Sequence, residues 1–265
     1  MTGAYNTTLG YKAGDSITSA NNNVYIGNEA AQNVTGHSNV AVGSQCIGND
    51  TTSSYGTYVG FEAGENQTIG TSNTMIGRRA GRTSLSPSTT GNSNTYIGTS
   101  AAGGYYTQTA MTSNTCVGVS AGNGLRTGSY NTHVGTTATT YYNNSSYGVA
   151  IGYQTKHNHN QCTAVGARAG YAQSSQSDYH TLVGYGAGYD LNGADYCTYI
   201  GVYAGRTVNG TGSFNTAIGH HSMYNATSAL RNAGLGYAVL NRLTSGEDNT
   251  VLGCNAGYEI TTGSE

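Results

Sequence analysis

The sequence predicts an all-β protein, a parallel β-solenoid of about fifteen short coils. The first observation behind this is a recurring frame: Asn, a β-branched residue, a variable residue, Ile/Val/Leu, then Gly, as in Asn94-Thr95-Tyr96-Ile97-Gly98. The frame fits fifteen times, from Leu9-Gly10 to Leu252-Gly253, usually at 17-residue steps and always between 14 and 21. The second is composition: 41 Gly in 265 residues, and 23 Tyr against two Phe and no Trp, far from an average domain. The third is that no stretch interrupts the period. Residues 1–265 therefore read as a single repeat domain, a section of a longer chain, where length alone would suggest one or two globular domains.

Each element of the coil follows from the frame. With Ile/Val/Leu as position 0, position −2 is Thr or Val in fourteen of fifteen repeats and −3 is Asn in ten. Position −1 varies freely: Tyr25, Ala41, Met75, His133, Leu182. Alternation of constrained and free positions is the period of a short strand. Positions −2 and 0 are expected to face the core, and −1 to face outward. Gly at +1 ends the strand, where positive φ or a close backbone approach is tolerated. Ala at +4, often followed by Gly at +5 (Ala63-Gly64, Ala204-Gly205), lets the second side of the coil pack closely over the first. The remainder is polar and turn-rich, as in Thr127-Gly128-Ser129-Tyr130. Asn at −3 either stacks into a side-chain amide ladder or serves the turn.

A 17-residue step suits a flattened roll with two short strands per turn. At roughly 4.8 Å per strand, fifteen coils give a rod on the order of 70 Å. Its interior is small, because a buried Val-sized side chain contributes only about 1.5–3 kcal/mol against roughly 1–2 kcal/mol of backbone entropy per fixed residue. A homo-oligomer is expected, three rolls side by side. The stretch Thr2 to Asn6 enters the frame at the phase where Thr262 to Glu265 leaves it. That phase match suits continuation at both ends or end-to-end stacking.

The pattern Asn-Thr-x-Ile-Gly-x-x-Ala-Gly is fullest at Asn73 to Gly81, Asn114 to Gly122 and Asn249 to Gly257. It resembles the head repeats of trimeric autotransporter adhesins and, more closely, repeats of bacteriophage tail-fibre proteins, over essentially the whole chain. The resemblance implies a left-handed β-roll assembled as an elongated homotrimer in a virion tail fibre. Its job would be attachment to host cell-surface polysaccharide or protein, with other fibre segments at both ends. The step is longer than that of the adhesin heads, and no signal peptide or membrane-anchoring domain is legible. Those absences favour the phage reading over the adhesin head, which stays as the alternative.

Composition limits the other classes. Charged residues make up 8% and the net charge is −2, so neither nucleic acid nor an anionic membrane is an expected partner, and no apolar run reaches membrane-helix length. The five cysteines follow no metal spacing. Cys162 and Cys197 share a repeat position but lie two coils apart, roughly 9–10 Å, too far to bridge. Free thiols are expected. The acids are few and scattered, and no nucleophile–base set is legible. Of them Asp178, Asp190 and Asp195 fall in neighbouring coils, the nearest approach to the paired carboxylates of a glycan-depolymerising solenoid. No catalysis is expected. Ice binding is disfavoured on the ground that the Thr column at −2 is buried.

Candidate contacts are three. The two longest steps are adjacent and place Tyr105, Tyr106 and Gln108 one coil from Arg78, Arg79 and Arg82, on a common face suited to a glycan. Tyr141 and Tyr142 form a second instance. Tyr columns at −1 and +2 are expected to stack or fill a chain interface. No cofactor is expected, apart from a transition metal that His157 and His159 could hold around a three-chain axis. His220-His221 is weaker, because consecutive strand residues point apart.

Overall fold

The computed structural model describes residues 3–48, 52–67, 70–82, 91–104, 111–140, 144–157, 160–172, 178–209 and 212–263. Among them there is no helix, and the chain divides into two compact units, residues 1–137 and 138–265. The first unit contains β1 (Thr7–Leu9), β2 (Val24–Ile26), β3 (Val40–Val42), β4 (Thr57–Val59), β5 (Thr74–Ile76), β6 (Thr95–Ile97), β7 (Thr115–Val117) and β8 (Thr132–Val134). They lie parallel in chain order, each in frame with the next: Thr95 pairs with Thr115, Tyr96 with Cys116 and Ile97 with Val117.

In the second unit a sheet of the same kind is built by β10 (Val149–Ile151), β12 (Thr163–Val165), β13 (Thr181–Val183), β15 (Thr198–Ile200), β17 (Thr216–Ile218), β18 (Ala233–Leu235) and β19 (Thr250–Leu252). The other side of its coils carries two short parallel pairs. These are β9 (Thr139–Thr140) with β11 (Lys156–His157), and β14 (Asp190–Asn192) with β16 (Thr207–Asn209). An all-β parallel solenoid with the frame stacked on itself is therefore the fold. The five cysteines are free, four of them buried.

The orientation of the strands is the reverse of that expected. In the main-sheet strands from β2 to β17, the middle residue at −1 is inside, with exposure of 1% or less: Tyr25, Tyr58, Met75, Tyr96, Cys116 and His133 in the first unit, Leu182 and Tyr199 in the second. Positions −2 and 0 look outward, with Ile76 and Ile97 each 37% exposed. The variability at −1 is an exchange of volume inside the coil, not tolerance of solvent. Where −1 is large, +5 is small: Tyr58 fills the space a Cβ on Gly64 would take, Leu182 does so at Gly188 and Tyr199 at Gly205, while Tyr25 and Tyr96 go with Ala31 and Ala102. In three coils a small −1 goes with a large, buried +5: Ala41 with Ile47, Ala217 with Met223, Gly234 with Leu240; Ala164, with Gly170, is an exception.

Corners are built from positive φ. At +1 only Gly fits: Gly98 has φ +131°, and a Cβ there would stand 2.5 Å from the carbonyl oxygen of Gly118 in the next coil. Ordinary side chains occupy the left-handed region at +3 (Glu62 at 55°, Arg79 at 59°) and at −4 (Tyr130 at 61°, Tyr179 at 63°). Each such residue costs about 1–3 kcal/mol and is held by a bond between coils, as when Glu62 N–H donates to Ser44 O at 3.0 Å.

Two side-chain ladders tie the coils together. Asn at −3 does form the amide ladder. The Asn94 Oδ1 accepts from both N and Nδ2 of Asn114 at 2.9 and 3.3 Å, and the Asn94 Nδ2 donates to Met111 O at 2.9 Å. The same arrangement joins Asn215, Asn232 and Asn249 in the second unit. A buried amide so fully used satisfies both of its ends, which removes most of the cost of burying it. The second ladder lies at −5, where an acceptor side chain takes the backbone N–H one coil back: Asn92 from Thr71, Ser129 from Thr112, Asp178 from Asn160 and Asp195 from Asp178, all at 2.8–3.1 Å.

Candidate ligand-binding surfaces

The left-handed residue at +3 turns the chain so that +3 and +6 project from one face of each coil. In the first unit this face carries Glu62 and Glu65 in one coil and Arg79 and Arg82 in the next. Like positions stack, so Arg79 Nε meets Glu62 Oε2 at 2.6 Å, and Arg82 Nε meets Glu65 Oε2 at 2.5 Å and Glu62 Oε2 at 3.3 Å. In the next two coils the same positions are small, Ser100 with Gly103 and Ser120 with Asn123. The result is a recess of about 240 Å³ walled by the two arginines.

Two of the three arginines singled out in the sequence thus converge on a recess that Gly103 and Gly104 also line. Arg78, at +2, is exposed and does not line it. Tyr105, Tyr106 and Gln108 lie outside the described residues, as do Tyr141 and Tyr142. The arginine charges are met by Glu62 and Glu65, so the recess offers a hydrogen-bonding rim with little net charge.

His157 is enclosed. On β11 its imidazole is fully buried and fills the room that a side chain on Gly148 would take, at the −3 position that Asn holds elsewhere. An imidazole inside its own coil is not presented to neighbouring chains, so the expected metal geometry at a three-chain axis does not hold for His157. His159 lies outside the described residues. Among the described residues no group of three or more His, Cys, Asp or Glu could hold a metal ion. The Asp178 and Asp195 carboxylates serve the −5 ladder.

The histidine pair set aside in the sequence does come together. His221 sits at +3 with φ 55°, which breaks strand alternation, and its ring centroid is 4.0 Å from that of His220. Around it the same face of the second unit is aromatic. Tyr203 lies 5.8 Å from His221, Tyr224 4.8 Å from it, and Tyr237 stacks on His220 at 5.4 Å with planes 6° apart. The Arg206 guanidinium lies over Tyr189, Tyr203 and Tyr224 at 5.2–5.6 Å. Burial, then the charges of His220 and Arg206, hold His221 below the usual imidazole range, so it is neutral near pH 7. Of the Tyr columns, those at +2 are on the surface (Tyr185, Tyr237), whereas Tyr25, Tyr58, Tyr96 and Tyr199 at −1 are core.

Among the described residues no helix is long and apolar enough to cross a membrane. No protein-family model matches the chain, and no curated protein matches it in sequence.

Proposed function

We propose that this chain is a rigid structural and adhesive shaft, a section of a phage tail fibre that assembles as a side-by-side homotrimer, left-handed in its coil, and attaches to host-surface glycans without catalysis. One observation carries the reading: the outward face of the main sheet is a regular array of Thr or Val at −2 and Ile, Val or Leu at 0, left half-exposed along each unit. A contiguous apolar strip of that kind marks an interface. Identical coils present identical strips, so a second and third copy can meet it in register. The recesses on the +3/+6 face lie on another stretch of the coil, where a bundle would leave them open. Weak contacts repeated on three chains then add through multivalency.

Sedimentation tests the assembly. The full chain should run at three times its 27.3 kDa mass. Ile76→Glu/Ile97→Glu, on residues already half outside, should sediment as a folded monomer. A wild-type monomer would end the bundle and leave the coil.

A second reading is favoured by one finding. The Thr column at −2, expected inside, faces out (Thr74, Thr95, Thr115, Thr132), so the ground on which ice binding was disfavoured is gone. A flat Thr and Ile/Val array is the geometry such a surface needs. Thermal hysteresis by a soluble monomer would select this reading, and its absence in a trimer would select the shaft.

A further inference from the structure

Two recesses among the described residues occur at the same place in the coil. In the first unit the +6 column is broken by Gly103. In the second it runs Tyr171, Tyr189, Arg206, Tyr224, Asn241, Tyr258, and is broken where Asn241 stands between two tyrosines. The gap is a recess of about 540 Å³, of small-ligand size. Its walls are Tyr237, Tyr258 and His221, its floor is Ala238, and Asn241 and Asn255 supply amides. Asn241 is nine-tenths buried, and its Nδ2 donates to the His221 carbonyl at 3.0 Å. That bond fixes the amide and leaves its Oδ1 for a ligand. Tyr237 is 53% exposed and already held flat by His220, so its outer ring face is pre-organised.

We infer that this recess, walled by Tyr237 and Tyr258 and floored by Ala238 beside the Asn241 amide, is a binding site for an uncharged pyranose unit of a polysaccharide. Three features select that chemistry. Flat ring faces take the apolar face of a sugar ring, as aromatic surfaces take other flat partners. The fixed Asn241 amide and the Asn255 amide match hydroxyls, which donate and accept. No uncompensated charge lines the space, since the neighbouring Arg242 is paired with Glu259 at 2.7 Å and lies over the Tyr258 ring. An acidic sugar would find no cation to meet it. An apolar ligand would cover the Asn241 amide oxygen and leave it unpaired.

The inference rests on the attachment reading and gives it a place and a ligand class. The test is an array of neutral and of uronic-acid oligosaccharides probed with the full chain, followed by calorimetry on the best neutral binder. Tyr237→Ala and Asn241→Leu are compared with Tyr55→Ala, an exposed tyrosine that lines neither recess, each checked for an unchanged β circular-dichroism spectrum. Neutral oligosaccharides should bind, Tyr237→Ala should weaken them at least tenfold, and Tyr55→Ala should bind as the wild type does. Because Tyr237 is on the surface, its loss is read without loss of the fold even where Asn241→Leu unfolds. Neutral binding that survives Tyr237→Ala would overturn this site and leave the shaft adhesive elsewhere. Binding of acidic oligosaccharides only would overturn the ligand class. An empty array would overturn the attachment reading and this site with it.

Discussion

At the scale of single residues, the chain replaces Asn at −3 where it departs from its own rule, and His180 is the instructive case. Its Nδ1 accepts the Cys197 N–H at 3.2 Å, the role Asn Oδ1 plays in other coils. Burial pushes its pKa from 6.5 down to about 4, against the opposing pull of Asp195 and Asp178. The unfolded chain takes up this proton near pH 6.5 and the folded chain does not until about pH 4. Stability from this residue is therefore whole above pH 6.5 and drains away as pH falls toward 4, by about 3 kcal/mol in all. His180→Asn restores an acceptor that does not titrate. Chemical denaturation at pH 7.5 and pH 4.5 should show a smaller loss for the variant than for the wild type. Equal losses in the two would mean that the imidazole is not the acid-sensitive group.

At the scale of the element, the three-residue strand and the segment after it share one interior volume. Tyr58→Ala opens a cavity that the coil cannot close, at a cost of about 3–5 kcal/mol. Adding Gly64→Met should recover a good part of that, because Ala217 with Met223 shows the backbone at +5 accepting a long side chain at φ 49°. Thermal melts of the single and double variants read the difference, and a double variant weaker than the single would refute the shared volume. The same pairing explains what could be read from the chain and what could not. The period, the Gly98 corner and the Asn94–Asn114 ladder are local signals, since each is one residue type at one position. Which side of the strand is core is not local. Ile97 at 0 looked like core because it is always apolar, and Tyr96 at −1 looked like surface because it varies, yet the variation at −1 is answered at +5 (Ala41 with Ile47, Tyr58 with Gly64). The −5 ladder was legible, since Asn92, Ser129, Asp178 and Asp195 are all acceptors. The aromatic recess was not, because the left-handed residue at His221 cancels the alternation that would have separated it from His220.

At the scale of the molecule, a solenoid coil bonds chiefly to the coil before and the coil after, so stability is close to a sum over neighbours. Excising one period should then preserve folding, provided that the new junction closes a coil with a matched interior. Removing residues 60–76 joins Val59 to Gly77 and places Tyr58 with Gly81, a Gly at +5 like the Gly64 it loses. Removing residues 27–42 joins Ile26 to Gly43 and places Tyr25 with Ile47, two large side chains where the first unit has one. The two deletions differ by one residue in length and both keep the strand frame. Overpacking costs typically about 1–3 kcal/mol, so the first shortened chain should melt near the wild type and the second several degrees lower. If stacking alone set stability, the two would melt together, and the volume rule within the coil would be wrong. If neither folded, the coils would not be exchangeable units, and the additive picture of the solenoid would fail before the packing question arose.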